Sequence, residues 1–168
     1  NINRGGIKSG LPRCVEGARY TAQWSGAPYS VYGGKGGEDD YADDINSRSH
    51  MVNWLAGGSV YVPTIEGLKV PLELSLAVHS DAGYAKDFNS LVGSLAIYTT
   101  NYNDGRLNSG ISRYASKDLA SSVLNNLVKD IQQKYGKWTK RHLWDRNYSE
   151  TRLPEVPSAI IETMSHQN

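Results

Sequence analysis

Residues 93–136 read GSLAIYTTNYNDGRLNSGISRYASKDLASSVLNNLVKDIQQKYG, and the fold follows from how this stretch is divided. Its first part, GSLAIYTT (93–100), is apolar and small almost without a break, which suits a strand covered on both faces. Its last part, ISRYASKDLASSVLNNLVKDIQQKYG (111–136), repeats Leu119, Val123, Leu127 and Ile131 every four residues beside Leu124 and Val128. That spacing lays one apolar face along a helix, and Gly136 supplies its stop. A buried strand followed by a long amphipathic helix is the building unit of an α/β domain.

The same reading extends outward in both directions. Upstream, LELSLAVHS (72–80) predicts a strand, SVYVP (59–63) a shorter one ended by Pro63, and DDINSRSHMVNWLAGG (43–58) a helix. Asp43 or Asp44 is available as its N-cap, Gly57 lies past its end, and Ile45, Met51, Val52 and Leu55 supply its buried face. LPRCVEGARYTAQWSG (11–26) predicts a short helix through Val15, Ala18 and Ala22, stopped by Gly26. Between these helices, SVYGGKGGEDDYADD (30–44) reads as a glycine-rich, acidic loop. Its GGKGGE is no phosphate-binding loop, because Lys35 is followed by Gly36 rather than Ser or Thr. Downstream, KWTKRHLWDRNYSETRLPEVP (137–157) reads as a basic, aromatic connection, and SAIIETM (158–164) as a last strand. No internal repeat is visible. The expectation is one α/β domain over residues 1–168, cut from a longer chain, with a central mixed, mainly parallel sheet flanked by helices on both faces.

Composition narrows the function. A formal net charge of +1, with 39% hydrophobic and 21% charged residues, gives no bulk electrostatic drive towards nucleic acid, and no run in this segment is apolar enough to span a membrane. One cysteine, Cys14, excludes an internal disulfide and any cysteine-only metal cluster. The aromatic set of 11 Tyr and 4 Trp against 1 Phe favours rings with a polar edge, the kind that saccharide clefts use.

Two strands end in ionisable residues. LSLAVHS delivers His79, and Glu162 directly follows Ala159, Ile160 and Ile161, where a carboxylate needs pairing or a special environment. In open α/β sheets such strand ends converge on ligand sites. Other readings are weaker. Cys14 with His79 would make a thiol nucleophile pair, but Cys14 falls in a helix. His142, within KWTKRHLWDR beside Trp138 and Trp144, reads as solvated surface ahead of a site for an anionic glycan. His50 reads as a structural or surface residue of its helix. Asp39, Asp40, Asp43 and Asp44 lack calcium-loop spacing, and helix capping accounts for two of them.

Four segments together resemble the zinc-dependent N-acetylmuramoyl-L-alanine amidases, which cut peptidoglycan between the lactyl group of the sugar and the stem peptide. RGGIKSG (4–10) and Glu16 are similar to the family's Gly-Gly loop and helix-borne zinc glutamate. Arg48 and Asn53 within INSRSHMVNWLA are similar to its arginine–asparagine helix. His79, Ser80, Asp81 and Ala82 resemble its strand-end signature with a zinc histidine, and Pro157, Ala159, Ile161, Glu162 and Asn168 its closing pattern around the catalytic glutamate. The resemblance implies zinc held by Glu16 and His79, Glu162 as general base, and Asp81, Arg48 and Asn168 as substrate-binding or supporting groups. It also implies a peptidoglycan substrate and a periplasmic or extracellular location. One departure matters: the family's first zinc histidine is replaced by Arg4 or Asn3 in NINRGG, so a third ligand would have to come from upstream of Asn1, from Asp81 or from His166. Two alternatives follow, a metal-free glycan-binding or scaffolding module of the same fold, or an amidase-like domain retuned within a polysaccharide-degrading secreted protein.

Overall fold

The computed structural model describes residues 10–81 and 90–165. Residues 4–9 of the RGGIKSG segment, Ala82, His166 and Asn168 lie outside them. In chain order the elements are α1 (Arg13–Glu16), α2 (Ala18–Trp24), α3 (Tyr29–Tyr32), α4 (Asp40–Ala56), β1 (Ser75–Asp81), β2 (Ser94–Tyr98), α5 (Tyr114–Tyr135), β3 (Lys140–Asp145), α6 (Ser149–Arg152) and β4 (Ser158–Ser165). A single 3-10 turn at Asn103–Gly105 lies between β2 and α5. They form two compact units, one of Asn1–Leu72 with Leu153–Glu155, the other of Glu73–Arg152 with Val156–Asn168.

The second unit is an α/β assembly around a four-stranded sheet of order β1-β4-β2-β3. β1 pairs parallel with β4 and β2 parallel with β3, while β2 and β4 pair antiparallel. Two strands therefore run each way, and the sheet is mixed, not mainly parallel as the sequence reading expected. The physical reason is that a buried apolar run shows how well a strand is covered and says nothing of its direction. β2, α5 and β3 make the parallel crossover; β4 then inserts between β1 and β2 against the direction of β2.

α5 packs on one face, with Ala120, Leu124 and Val128 buried against Ala96, Tyr98, Ala159 and Ile161. The fully buried row, Ser116, Ala120, Leu124 and Val128, lies one position along from the expected row. Leu119, Val123 and Leu127 flank it and stay partly open. Gly136, at φ +87°, stops the helix as expected. The other face carries Leu95, Ile97 and Ile160, with Ala77 and Trp144 packed beside them. The one-turn α6 is anchored to the unit through Thr151, whose hydroxyl meets that of Thr99 at 2.7 Å and whose carbonyl accepts from Ser158 Oγ at 3.1 Å.

The connection 137–157 differs from expectation, since it contains β3 and α6. KRHLWD is an edge strand, and edges tolerate the charges that make it read as solvated. Gly93 makes its pairing possible: at φ +85° a Cβ there would come within 2.1 Å of Thr139 O, where Ser94 N–H donates at 3.0 Å to begin the ladder.

The first unit is helical and combines a small apolar cluster, Ala22, Ala27 and Val31 with Tyr32, Met51 and Trp54 packed against it, with a set of ion pairs. Gly17 divides the expected 11–26 helix into α1 and α2, and Gly26, at φ +82°, ends α2 as expected. α4 is capped by Asp39, whose carboxylate accepts from Tyr41 N at 3.0 Å and Ala42 N at 3.1 Å, not by Asp43 or Asp44. Asp43 is instead buried, accepting from Lys35 N at 2.6 Å with Arg19 Nη1 3.4 Å away. Arg19 also donates to Asp40 at 2.6 Å, and Asp44 pairs with Arg48 at 3.2 Å. The four aspartates are thus occupied as a cap and as ion-pair partners. SVYVP forms no strand: Gly58 N–H donates to Val62 O at 2.8 Å and the Ser59 hydroxyl accepts from Tyr61 and Val62, so a tight turn consumes the backbone groups a strand would pair. Asn53 secures the Leu153–Glu155 segment to α4, donating to Leu153 O at 2.9 Å and accepting from Glu155 N at 2.8 Å.

Candidate functional site

β1 and β4 run side by side to the same end of the sheet, and their register sets the site. Ser75 pairs with Ser158, and the ladder proceeds residue by residue to His79 opposite Glu162. Parallel neighbours in register project to the same face on strands about 4.8 Å apart. Glu162 is also the register partner of Leu95 on β2, so His79, Glu162 and Leu95 form one row across three strands. The next row on that face is Ala77, Ile160 and Ile97, a dry floor directly below.

A third ionisable group enters from α6. Glu150 Oε2 lies 3.0 Å from His79 Nε2, both side chains being mostly shielded from solvent. Behind the pair, Thr163 Oγ1 donates to His79 O at 3.0 Å and clamps the strand end where the β1–β4 register shifts between His79 and Asp81. In the neutral imidazole, the Nε2 proton is assigned by its carboxylate neighbour, which makes Nδ1 the acceptor nitrogen.

The remaining sequence candidates fall as follows. Asp81 closes β1 in an ion pair with Arg141 of β3. Glu16 ends α1 in the first unit and is exposed. Arg48 lies on α4 in the same unit, paired with Asp44 one turn earlier. Asn168 and His166 are outside the described residues. Among the described residues, no group of three His, Cys, Asp or Glu side chains is arranged to hold a metal ion.

Sequence reasoning misses Glu150 because the stretch 137–157 that contains it reads as a connection. The signal was present: Ser149 and Glu150 open a turn just ahead of Pro154, a helix-start pattern. The run around His142 and Trp144, which reads as solvated surface ahead of a site for an anionic glycan, forms an aromatic strip on β3. His142 stacks on Trp144 with centroids 5.0 Å apart and planes 11° from parallel, and the Arg146 guanidinium lies 5.8 Å from the Trp144 ring centroid. Trp144 packs with Leu95, Ile97 and Ile160, so the strip shares the face that carries Glu162.

No family model matches the chain, and no curated protein or solved structure matches it significantly. Among the described residues, no helix is long and apolar enough to cross a membrane.

Proposed function

We propose that the second unit carries a hydrolytic centre for the N-acetylmuramoyl-L-alanine amide bond of peptidoglycan, with Glu162 as general base. The observation that supports this reading is the His79–Glu162 register pair, with Glu150 3.0 Å from the imidazole. Proton transfer needs such groups within reach of one reacting centre. Glu162, bordered by Leu95 and Ile160, would take a proton from an attacking water and hand it to the leaving amine. Glu150 would hold the His79 ring and stabilise its protonated form as negative charge develops on the scissile carbonyl oxygen. The aromatic strip of His142 and Trp144 offers the same face a surface for a sugar ring. Such a substrate agrees with a periplasmic or extracellular setting.

The zinc that the resemblance implies fits these residues only in part. His79 would hold the ion, with the neighbouring Glu150 carboxylate as a further ligand of suitable type, and bound zinc would polarise the scissile carbonyl and lower the pKa of a water. A catalytic zinc normally has three protein ligands, and the described residues do not bring a third to this pair. No step above therefore passes through a metal. A zinc requirement is a separate proposal, tested by metal analysis of Glu16→Ala, His79→Ala and Glu150→Gln proteins.

The aromatic strip favours a second reading, a glycan-binding module of the same fold. One assay separates the two: release of stem peptides from purified peptidoglycan by wild type and Glu162→Gln at matched metal content. Removing the basic oxygen should lower the rate by about 10²–10⁴-fold. Equal rates would remove Glu162 from the mechanism. Polymer binding without release by either protein would establish the binding module.

A further inference from the structure

The first unit contains a cleft that the hydrolytic reading does not use. Its volume is about 730 Å³, within the usual range of small-ligand sites. Its floor is one face of α4, where His50, Asn53 and Trp54 stand at positions i, i+3 and i+4. The segment from Gly26 to Val31 forms one wall and Ile65 to Leu68 the other.

The second wall is built into the fold. Helix carbonyls in the last turn lack helical partners, and here the wall supplies them. Leu68 N–H donates to Trp54 O at 2.9 Å, Val70 N–H to Leu55 O at 2.8 Å and Lys69 N–H to Gly57 O at 2.9 Å. The approach is close enough that a Cβ on Gly67 would lie 2.0 Å from Trp54 O. Asn53 is committed to Leu153 and Glu155, so it acts as a fixed part of the floor. The cleft is therefore preformed, and a ligand would meet little ordering cost.

Its chemistry selects the ligand. Trp54 and Ile65 give it apolar surface, while Ser30, His50 and Glu66 bring hydrogen-bonding groups to its lining. Burial, with the Lys35 ammonium adding to it, holds His50 below the ordinary imidazole value, so at neutral pH the ring offers one donor and one acceptor. Hydroxyl groups, which both donate and accept, match that pairing. The Glu66 carboxylate disfavours an anion, and the positive field of Lys35 at His50 disfavours a cation beside it.

We infer that this cleft binds a neutral saccharide ring, with the sugar face against Trp54 and its hydroxyls on His50 and Glu66. The inference is independent of the hydrolytic reading, because no residue of the β1–β4 site takes part.

The test is titration of the full chain with N,N′-diacetylchitobiose, the uncharged form of chitobiose, followed by tryptophan fluorescence and by His50 imidazole resonances, with galacturonate and choline as charged comparators. Diacetylchitobiose should bind with Kd on the order of 1 mM. His50→Ala and Glu66→Gln should each weaken binding about 5–10-fold through loss of a hydrogen bond. Trp54→Phe, which retains an aromatic face with less risk to folding than Trp54→Ala, should weaken it by a smaller factor. His79→Ala should bind as wild type does, whatever its effect on hydrolysis. Absence of saturable diacetylchitobiose binding, tighter binding of choline or galacturonate, or unchanged affinity in both His50→Ala and Glu66→Gln would overturn the inference.

Discussion

The two long helices of this chain solve the problem of burial in opposite ways. α5 buries Ser116, Ala120, Leu124 and Val128, a row of small and aliphatic residues fitted to the apolar face of a sheet. α4 buries Asp43, Ser47, Ser49 and Ala56, the largest of these side chains being a carboxylate. A helix buried through alkyl contacts draws on the hydrophobic effect and close packing, neither of which requires a particular partner. A helix buried through Asp43 depends on Arg19 and the Lys35 amide being in place, since an ionised group out of water is tolerated only when paired. The first arrangement is forgiving and strong. The second is specific and brittle.

Substitutions can break the contrast at either end, and the largest effect belongs to α5. Leu124→Ala should cost about 3–4 kcal/mol, the transfer term plus the cavity it leaves, read from the urea midpoint at constant slope. A cost under about 1 kcal/mol would mean that α5 is far less tightly packed on the sheet than described. Asp43→Ala should cost somewhat less, about 2–3 kcal/mol. It leaves the Lys35 amide without its acceptor, but Arg19 keeps Asp40 at 2.6 Å. A Leu at the same position should be no better than Ala, because the hole it fills is lined by donors. Stabilisation by Asp43→Leu would erase the contrast.

A pH titration sharpens the comparison with a smaller effect. His50 on α4 has its pKa lowered by burial and by Lys35. Between that lowered value and 6.5 the unfolded chain holds a proton at His50 that the folded chain does not. Stability of the first unit should therefore fall as pH drops through about 6.5, and His50→Gln should remove that part of the slope. The pH dependence of thermal unfolding is the measurement; identical slopes in wild type and variant would show that His50 is not held neutral.

These differences explain what could be read in the sequence. α5 was legible because four-residue spacing is local and its stop is a glycine, and His79 and Glu162 because each ends a run of apolar residues. The burial of β2 and β4 was legible for the same reason. Strand direction was not, since β4 finds its place between β1 and β2 by pairings more than sixty residues apart in sequence. Glu150 escaped notice because its importance comes from a contact with His79, 71 positions away, rather than from its own neighbours. On α4 the acidic run offered several N-caps of equal quality, and only the location of Arg19 and Lys35 reserves Asp43 for the interior and leaves Asp39 to cap.

Strand β1 is two-sided in a way that bears on the fidelity of folding. Leu76 and Val78 are register partners of Ala159 and Ile161 but stay 45% and 67% exposed at the sheet edge, while Ala77 and His79 turn to the opposite face. Hydrophobic patterning normally penalises a slipped strand heavily, because one step exchanges its two faces. Here the penalty is weakened, since the residues that would be displaced are already half in water. A slip of one residue would set Val78 beside Glu162 and send His79 to the α5 side. Alignment thus leans on the Thr163 hydroxyl at His79 O and on the irregularity just after it. Thr163→Val should change stability by about 1 kcal/mol or less, yet produce a second, misaligned population, visible as a doubled His79 imidazole signal; a single signal would locate the alignment elsewhere. One hydroxyl would then act as the proofreader of the strand, guarding which side chain reaches Glu162 more than how firmly the sheet holds.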